Sequence, residues 1–264
     1  MTQDILQRED IKDVARLTMN TPKSLNALSD AMLAALHAQL DSIADTPEIR
    51  AVILCSTGKA FCAGHDLKEM TAARALGDGG QAYFTDLFSR CSALMQRILT
   101  LPQPVIAQVH GIAAAAGCQL VATCDMAVAA DDTRFGVNGV NIGLFCSTPM
   151  VALTRNIPRK KAFEMLTTGR FMPAEEAAAF GLINHIVPQD ELATETLKLA
   201  QTVAGKLGKA VTAGKQAFYE QIQMPIDKSY SYTGEVMVAN MMYEDTAEGV
   251  AAFLEKRAPT WQNP

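Results

Sequence analysis

The segment PVIAQVHGIAAAAGCQLVATCD, residues 104–125, restricts the fold more than any other stretch of the chain. Its β-branched opening reads as a strand, and its end reads as an apolar helix opening at Cys118. Between them, residues 111–117 are almost all Gly and Ala, the residues a chain uses where something approaches the backbone closely. Gln119, the first sizeable polar residue after them, carries an amide that is no proton donor or acceptor for acid–base work. The stretch AVILCSTGKAFCAGHDLKEM (51–70) has the same order: strand, small residues (Ala63, Gly64), helix entry. Two such loops can aim backbone N–H groups at one spot, because the first turn of a helix has unpaired donors and a partial positive charge. Two readings stand side by side on pattern alone: a cradle for an oxygen gaining negative charge, and a pair of tight, closely packed turns.

The rest of the chain supports a layered α/β protein. Further β-rich runs lie at 13–20, 126–130 and 182–188, with helical patterns between them. Ser29 is placed to cap a helix over DAMLAALHAQLDSI, and another pattern covers 81–100. GDGG (77–80) reads as a mobile loop, and PAEEAAAFGL has Pro173 at a first helical turn with Gly181 at the stop. From Glu191 onward the pattern is helical. The expected organisation is an α/β core over residues 1–190 and a helical C-terminal region over 191–264. A length of 264 residues, 49% of them apolar, suffices for a sizeable core.

Charge and cysteine usage exclude several classes. A net charge of −5 argues against a nucleic-acid or anionic-membrane surface. No apolar run approaches the ~20 residues of a membrane span. Six cysteines are scattered, with no CxxC pair and no histidines at metal spacing, so no metal site is expected. Free cysteines and the acidic start MTQDILQRED, which lacks a signal-peptide pattern, lead to the expectation of a cytoplasmic protein.

FCAGHDLKEM and HGIAAAAGCQLVATCDMAVAADDTRFGVNGVNIGLFCSTP together resemble the crotonase (enoyl-CoA hydratase/isomerase) superfamily, as do TPKSLNALS, LTTGRFMPAEEAAAFGLINHIVP and FLEKRAP. The resemblance implies a spiral of β-β-α units, with C-terminal helices that build a homotrimer or a dimer of trimers. It implies an acyl-CoA thioester as ligand, coenzyme A entering as part of the substrate, and no tightly bound cofactor. Carried over position by position, the oxyanion donors are the backbone N–H groups of His65 and Ala116. The family usually has Gly at the latter, so Ala116 bears on the donor's geometry. The coenzyme A moiety falls to Lys23, Leu25, Ala63, His65, Asp66 and Leu67.

The family's hydratases use two glutamates on one water. Here the first position is Gln119 and the second, four residues after Phe135, is Gly139, so neither supplies an acid or base. Gly139 is expected to leave a gap there for solvent or substrate. The side chain of His65 and the thiol of Cys146 are the alternative chemical groups near the loops, Cys146 only if its pKa were lowered. His37, His110, His185 and Asp125 read as structural, and Asn138 and Asn141 as turn residues or acyl-group contacts. Three functions follow: an enzyme of the lyase or isomerase class that hydrates crotonyl-CoA weakly, a decarboxylase of malonyl-type CoA esters, and a non-catalytic acyl-CoA binder.

Overall fold

Strands in the described residues fall into two groups, and the alternation between them generates the architecture. In a computed structural model, which describes residues 4–262, the chain runs β1 (Leu6–Ile11), β2 (Val14–Met19), α1 (Asp30–Ala44), β3 (Ala51–Ser56), α2 (Leu67–Ala73) and α3 (Gln81–Thr100). It continues through β4 (Val105–Val109), β5 (Ile112–Ala114), α4 (Ala116–Thr123), β6 (Met126–Ala130), β7 (Arg134–Gly136), α5 (Pro149–Asn156) and α6 (Arg159–Thr168). The last elements are β8 (Phe171–Pro173), α7 (Ala174–Ala179), β9 (His185–Val187), α8 (Leu192–Ala204), α9 (Gly208–Gln221), α10 (Ile226–Met241) and α11 (Glu244–Leu254).

One sheet has the order β1-β2-β3-β4-β6-β9, parallel throughout except for the β1–β2 hairpin. The other has the order β5-β7-β8. After β4 the chain turns into β5 and then α4; after β6 it turns into β7 and a 3-10 turn over Asn138–Ile142. β3 follows the same path in reduced form, with Cys62 bridging Ala113 of β5 before α2 begins. The units that begin at β4 and β6 thus give one strand to each sheet before their helices, and successive units stack as a spiral. The buried runs VIAQV and MAVAA are the near-continuous apolar strands that a parallel sheet covered on both faces requires.

α1 and α3 bury Leu33, Leu36, Leu87 and Leu94 on one face of the large sheet. Leu192, Ala200 and Ala204 of α8 cover the other face, against Val14, Ile53 and Ile106. α9 packs on α10, and α10 on α11. Ser29 caps α1 as expected, its hydroxyl accepting from the Met32 amide at 3.2 Å. Gly181, at φ +85°, lies just past α7.

Two boundaries differ from the sequence reading. The helix expected from Cys118 begins at Ala116, because the small residues already carry its first turn. The strand expected over 182–188 is only His185–Val187, since Leu182 and Ile183 join the core as a loop. No helix of the described residues is long and apolar enough to cross a membrane.

Candidate active site at two nested loops

The loop after β3 is held by the chain that precedes α1. Asn26 is fully buried in a left-handed conformation, φ +53°, which a short amide side chain tolerates better than most. Its Nδ2 donates to the Thr57 and Ala60 carbonyls, both at 2.8 Å, and its Oδ1 accepts from the Thr21 amide at 2.9 Å. The sequence reading named Lys23 and Leu25 but missed Asn26. Its signal was an asparagine directly after Leu25, but a buried one looks like any loop residue until its partners are known.

This staple aligns the two segments. The Ala63 amide donates to the Leu25 carbonyl at 3.0 Å, and the Leu28 amide donates to the Gly64 carbonyl at 2.8 Å. Leu25 and Ala63 are therefore brought together, with Lys23 exposed on the short turn Pro22–Ser24. Asp66 caps α2, its carboxylate accepting from the Lys68 amide at 2.8 Å and the Glu69 amide at 3.4 Å. That carboxylate is engaged in the helix start, and Leu67 beside it is exposed.

The second loop nests against the first. A Cβ placed on Gly64 would lie 3.0 Å from Ala115 Cβ and 3.4 Å from the Ala116 amide nitrogen. One on Gly117 would run into the Cys62 backbone. Only hydrogen at these two positions lets the loops touch. Ala115 joins β5 to α4 at φ +48° and ψ −117°, a conformation costly for a residue with a side chain. Its amide donates to the Gly136 carbonyl at 2.8 Å, which fixes the entry to α4. The backbone N–H groups of His65 and Ala116 have no hydrogen-bond acceptor among the described residues.

The side chains of His65, Gln119 and Cys146 carry no carboxylate. His65 Nδ1 stands 3.4 Å from the Leu28 carbonyl, its ring meets Phe88 edge-on, and Nε2 is buried without a partner. Burial pulls its pKa below the ordinary imidazole value. Gln119 is 6% exposed, and its Oε1 has no partner. Cys146 is buried, and burial pushes its thiol up, the opposite of what a nucleophile needs.

The gap expected at Gly139 is absent. A Cβ there would overlap the Leu144 carbonyl and sit 2.9 Å from Cys146 Sγ. The returning chain, residues 144–146, fills the space because the 3-10 turn folds back and the Leu144 amide donates to the Gly139 carbonyl at 2.9 Å.

Three of the residues read as structural have side-chain partners, and His185 lies exposed on β9. His110 Nε2 lies 2.8 Å from the Gly58 carbonyl, and His37 lies 3.7 Å from Asp41. Asn141 donates to the Gly169 carbonyl at 3.4 Å. Asp125 belongs to a buried ion pair remote in sequence, with Lys215. No cluster of metal-ligating side chains occurs among the described residues.

Comparison with known proteins gives these loops a context. A family model described as Enoyl-CoA hydratase/isomerase matches residues 9–264. The human protein named "Enoyl-CoA hydratase domain-containing protein 3, mitochondrial" is 44% identical over 250 residues, 95% of this chain and 81% of that protein. Its namesake from Xenopus laevis is also 44% identical, over 97% of this chain and 85% of its own. The crystal structure of an enoyl-CoA hydratase from Mycobacterium smegmatis superposes with a TM-score of 0.94 at 50% identity, covering 98% of this chain and 99% of that one. Both vertebrate relatives are named mitochondrial, which overturns the cytoplasmic expectation. Free cysteines argue against oxidising compartments and do not distinguish among reducing ones.

Proposed function

Because the chain belongs to the enoyl-CoA hydratase/isomerase family and has its crotonase fold, we propose that it binds an acyl-CoA thioester with the carbonyl oxygen between the backbone N–H groups of His65 and Ala116. The observation that carries this is the contact of Gly64 with residues 114–116, which sets two unpaired amides on adjacent loops. Such donors stabilise a thioester enolate, and removing one in other enzymes costs on the order of 10²–10³ in rate. The nucleotide lies along Lys23, Leu25 and residues 63–67, with Lys23 as a point charge for a phosphate. Asp66 contributes by holding α2 and not through a free carboxylate.

Gln119 and Gly139 stand where the family's hydratases carry glutamates, and no other carboxylate replaces them at those positions. Gln119 can orient a water but not take its proton. Hydration of crotonyl-CoA is therefore weak. Decarboxylation of a malonyl-type thioester is the second reading, because loss of CO₂ leaves an enolate without any protein base. That step needs only the oxyanion donors, and the burial that lowers the His65 pKa disfavours a charged imidazole beside them. The non-catalytic binder is the third. A mass-spectrometric turnover screen over enoyl-, hydroxyacyl- and malonyl-type CoA esters, run beside calorimetry with acetyl-CoA, separates them. Binding without any turnover would leave the binder.

A homotrimer, or a dimer of trimers, accounts for the apolar surface of α10 and α11. Met237 is 63% exposed and Phe253 82% exposed. Such surface on neighbouring helices marks an interface rather than a solvated face.

A further inference from the structure

Lys215 lies within α9 and is 8% exposed. Its ammonium has three N–H donors, and three acceptors meet them: the Ile98 carbonyl at 2.8 Å, the Gln103 carbonyl at 3.0 Å and Asp125 Oδ2 at 2.7 Å. Ile98 is in the last turn of α3, Gln103 in the connection to β4, and Asp125 two residues after the end of α4. Asp125 is shared in turn. Its Oδ2 accepts from the Val105 amide at 2.7 Å, its own amide donates to the Val105 carbonyl at 2.9 Å, and its Oδ1 accepts from the Tyr219 hydroxyl at 2.8 Å. One side chain of α9 thus ties together the end of α3, the start of β4 and the end of α4.

Burial works against this arrangement, pulling the Lys215 pKa down while the Asp125 charge opposes the shift. Replacing a buried ion pair by apolar side chains is often neutral or stabilising. Docking α9 alone therefore does not call for it. What the pair adds is a directional, fully satisfied set of bonds at one point in the fold. That point lies just past the C-terminal end of the helix whose first turn carries Ala116 and Gln119. α4 has eight residues, and a rigid rod of about 12 Å moves at one end when it moves at the other.

We propose that Lys215 is a positioning residue for the thioester site: through Asp125 it fixes α4 along its axis, and so sets where the Ala116 N–H and the Gln119 side chain stand. The C-terminal region, distant in sequence, thereby becomes part of the site's construction. The ligand readout of this inference rests on the acyl-CoA reading above; its geometry does not.

The test uses the full chain with Lys215→Met/Asp125→Leu, which fills the space with apolar groups so that folding is retained, and Asp125→Asn as a second variant should the first not fold. Calorimetry compares acetyl-CoA with free CoA, whose proposed contacts lie outside α4. Amide hydrogen exchange compares residues 116–125 with β1–β3. The expected result is unchanged free-CoA affinity, a roughly tenfold loss of the advantage of acetyl-CoA over CoA, and faster exchange confined to 116–125 and its neighbours. A general loss of structure would weaken both ligands together. Wild-type values for the acetyl-CoA advantage and for exchange at 116–125, in a variant lacking the pair, would overturn the proposal. A wild-type protein with no affinity for either ligand would defeat the acyl-CoA reading instead, and the exchange comparison would still decide the role of Lys215.

Discussion

The Gly139 amide donates to Cys146 Sγ over 3.4 Å, and the Leu144 carbonyl stands where a side chain at residue 139 would begin. Residue 139, proposed above as the counterpart of the family's second glutamate, is thus closed by main chain. Cysteine 146 is held as a packed, weak acceptor in a buried setting.

Gly139→Glu is therefore expected to destabilise the protein and not to restore a catalytic carboxylate. Even Gly139→Ala overpacks the turn, at a cost of about 1–3 kcal/mol. Cys146→Ala does not rescue it, because the Leu144 carbonyl stays in place. Thermal denaturation of the three variants checks this; a stable Gly139→Glu protein with raised hydratase activity would show that residues 144–146 swing aside freely.

Wild-type protein should hydrate crotonyl-CoA well below the ~1 s⁻¹ floor of typical enzymes. General acid–base groups contribute ~10²–10⁴ each. Gln119→Glu restores one and should raise the rate, while leaving acetyl-CoA binding intact. Loss of the conjugated thioester absorbance measures it. Turnover comparable to ordinary hydratases would mean that another residue performs the proton transfer.

Ala115→Gly should stabilise the fold by about 1 kcal/mol. The strain of a side chain at φ +48° costs of order 1–3 kcal/mol, and the greater freedom of glycine in the unfolded chain offsets part of the gain. The expected rise in melting temperature is about 2–4 °C. No change would mean that Ala115 packs well enough to compensate.

Stability should fall as pH drops through the histidine range, in part because of His65. Its folded pKa lies below the ordinary 6.5, so the unfolded chain binds the proton more tightly and stability rises with pH across that window. The loss begins as pH falls through the unfolded value and levels off below the folded one. His65→Gln should flatten this part of the pH profile of the melting temperature. An unchanged profile would assign the slope to other groups.

Light scattering at micromolar concentration should show a trimer or hexamer, given the exposed Met237 and Phe253. Charged substitutions at both, Met237→Glu with Phe253→Glu, should yield smaller species. A monodisperse wild-type monomer would remove the assembly from the proposal.

The strands at 51–56, 105–109 and 126–130, the Ser29 cap and the two small-residue loops were legible in the sequence, since each follows from local chemistry: apolar runs, capping hydroxyls, the small size of Gly and Ala. The absence of carboxylates at 119 and 139 was legible too, because residue type alone decides whether a group can carry a proton. Other features depend on neighbours far along the chain. The short strands β5, β7 and β8, of three residues each, carry too little pattern to be read and exist because they pair with one another. The role of Asn26 needed Thr57 and Ala60 to fold back beside it. The closure at Gly139 needed the chain to return at Leu144, and the partner of Asp125 lay 90 residues away in Lys215. Local sequence determined which chemistry each residue can offer, while burial and long-range contact, which only the tertiary structure sets, decided which residues meet and which positions are open.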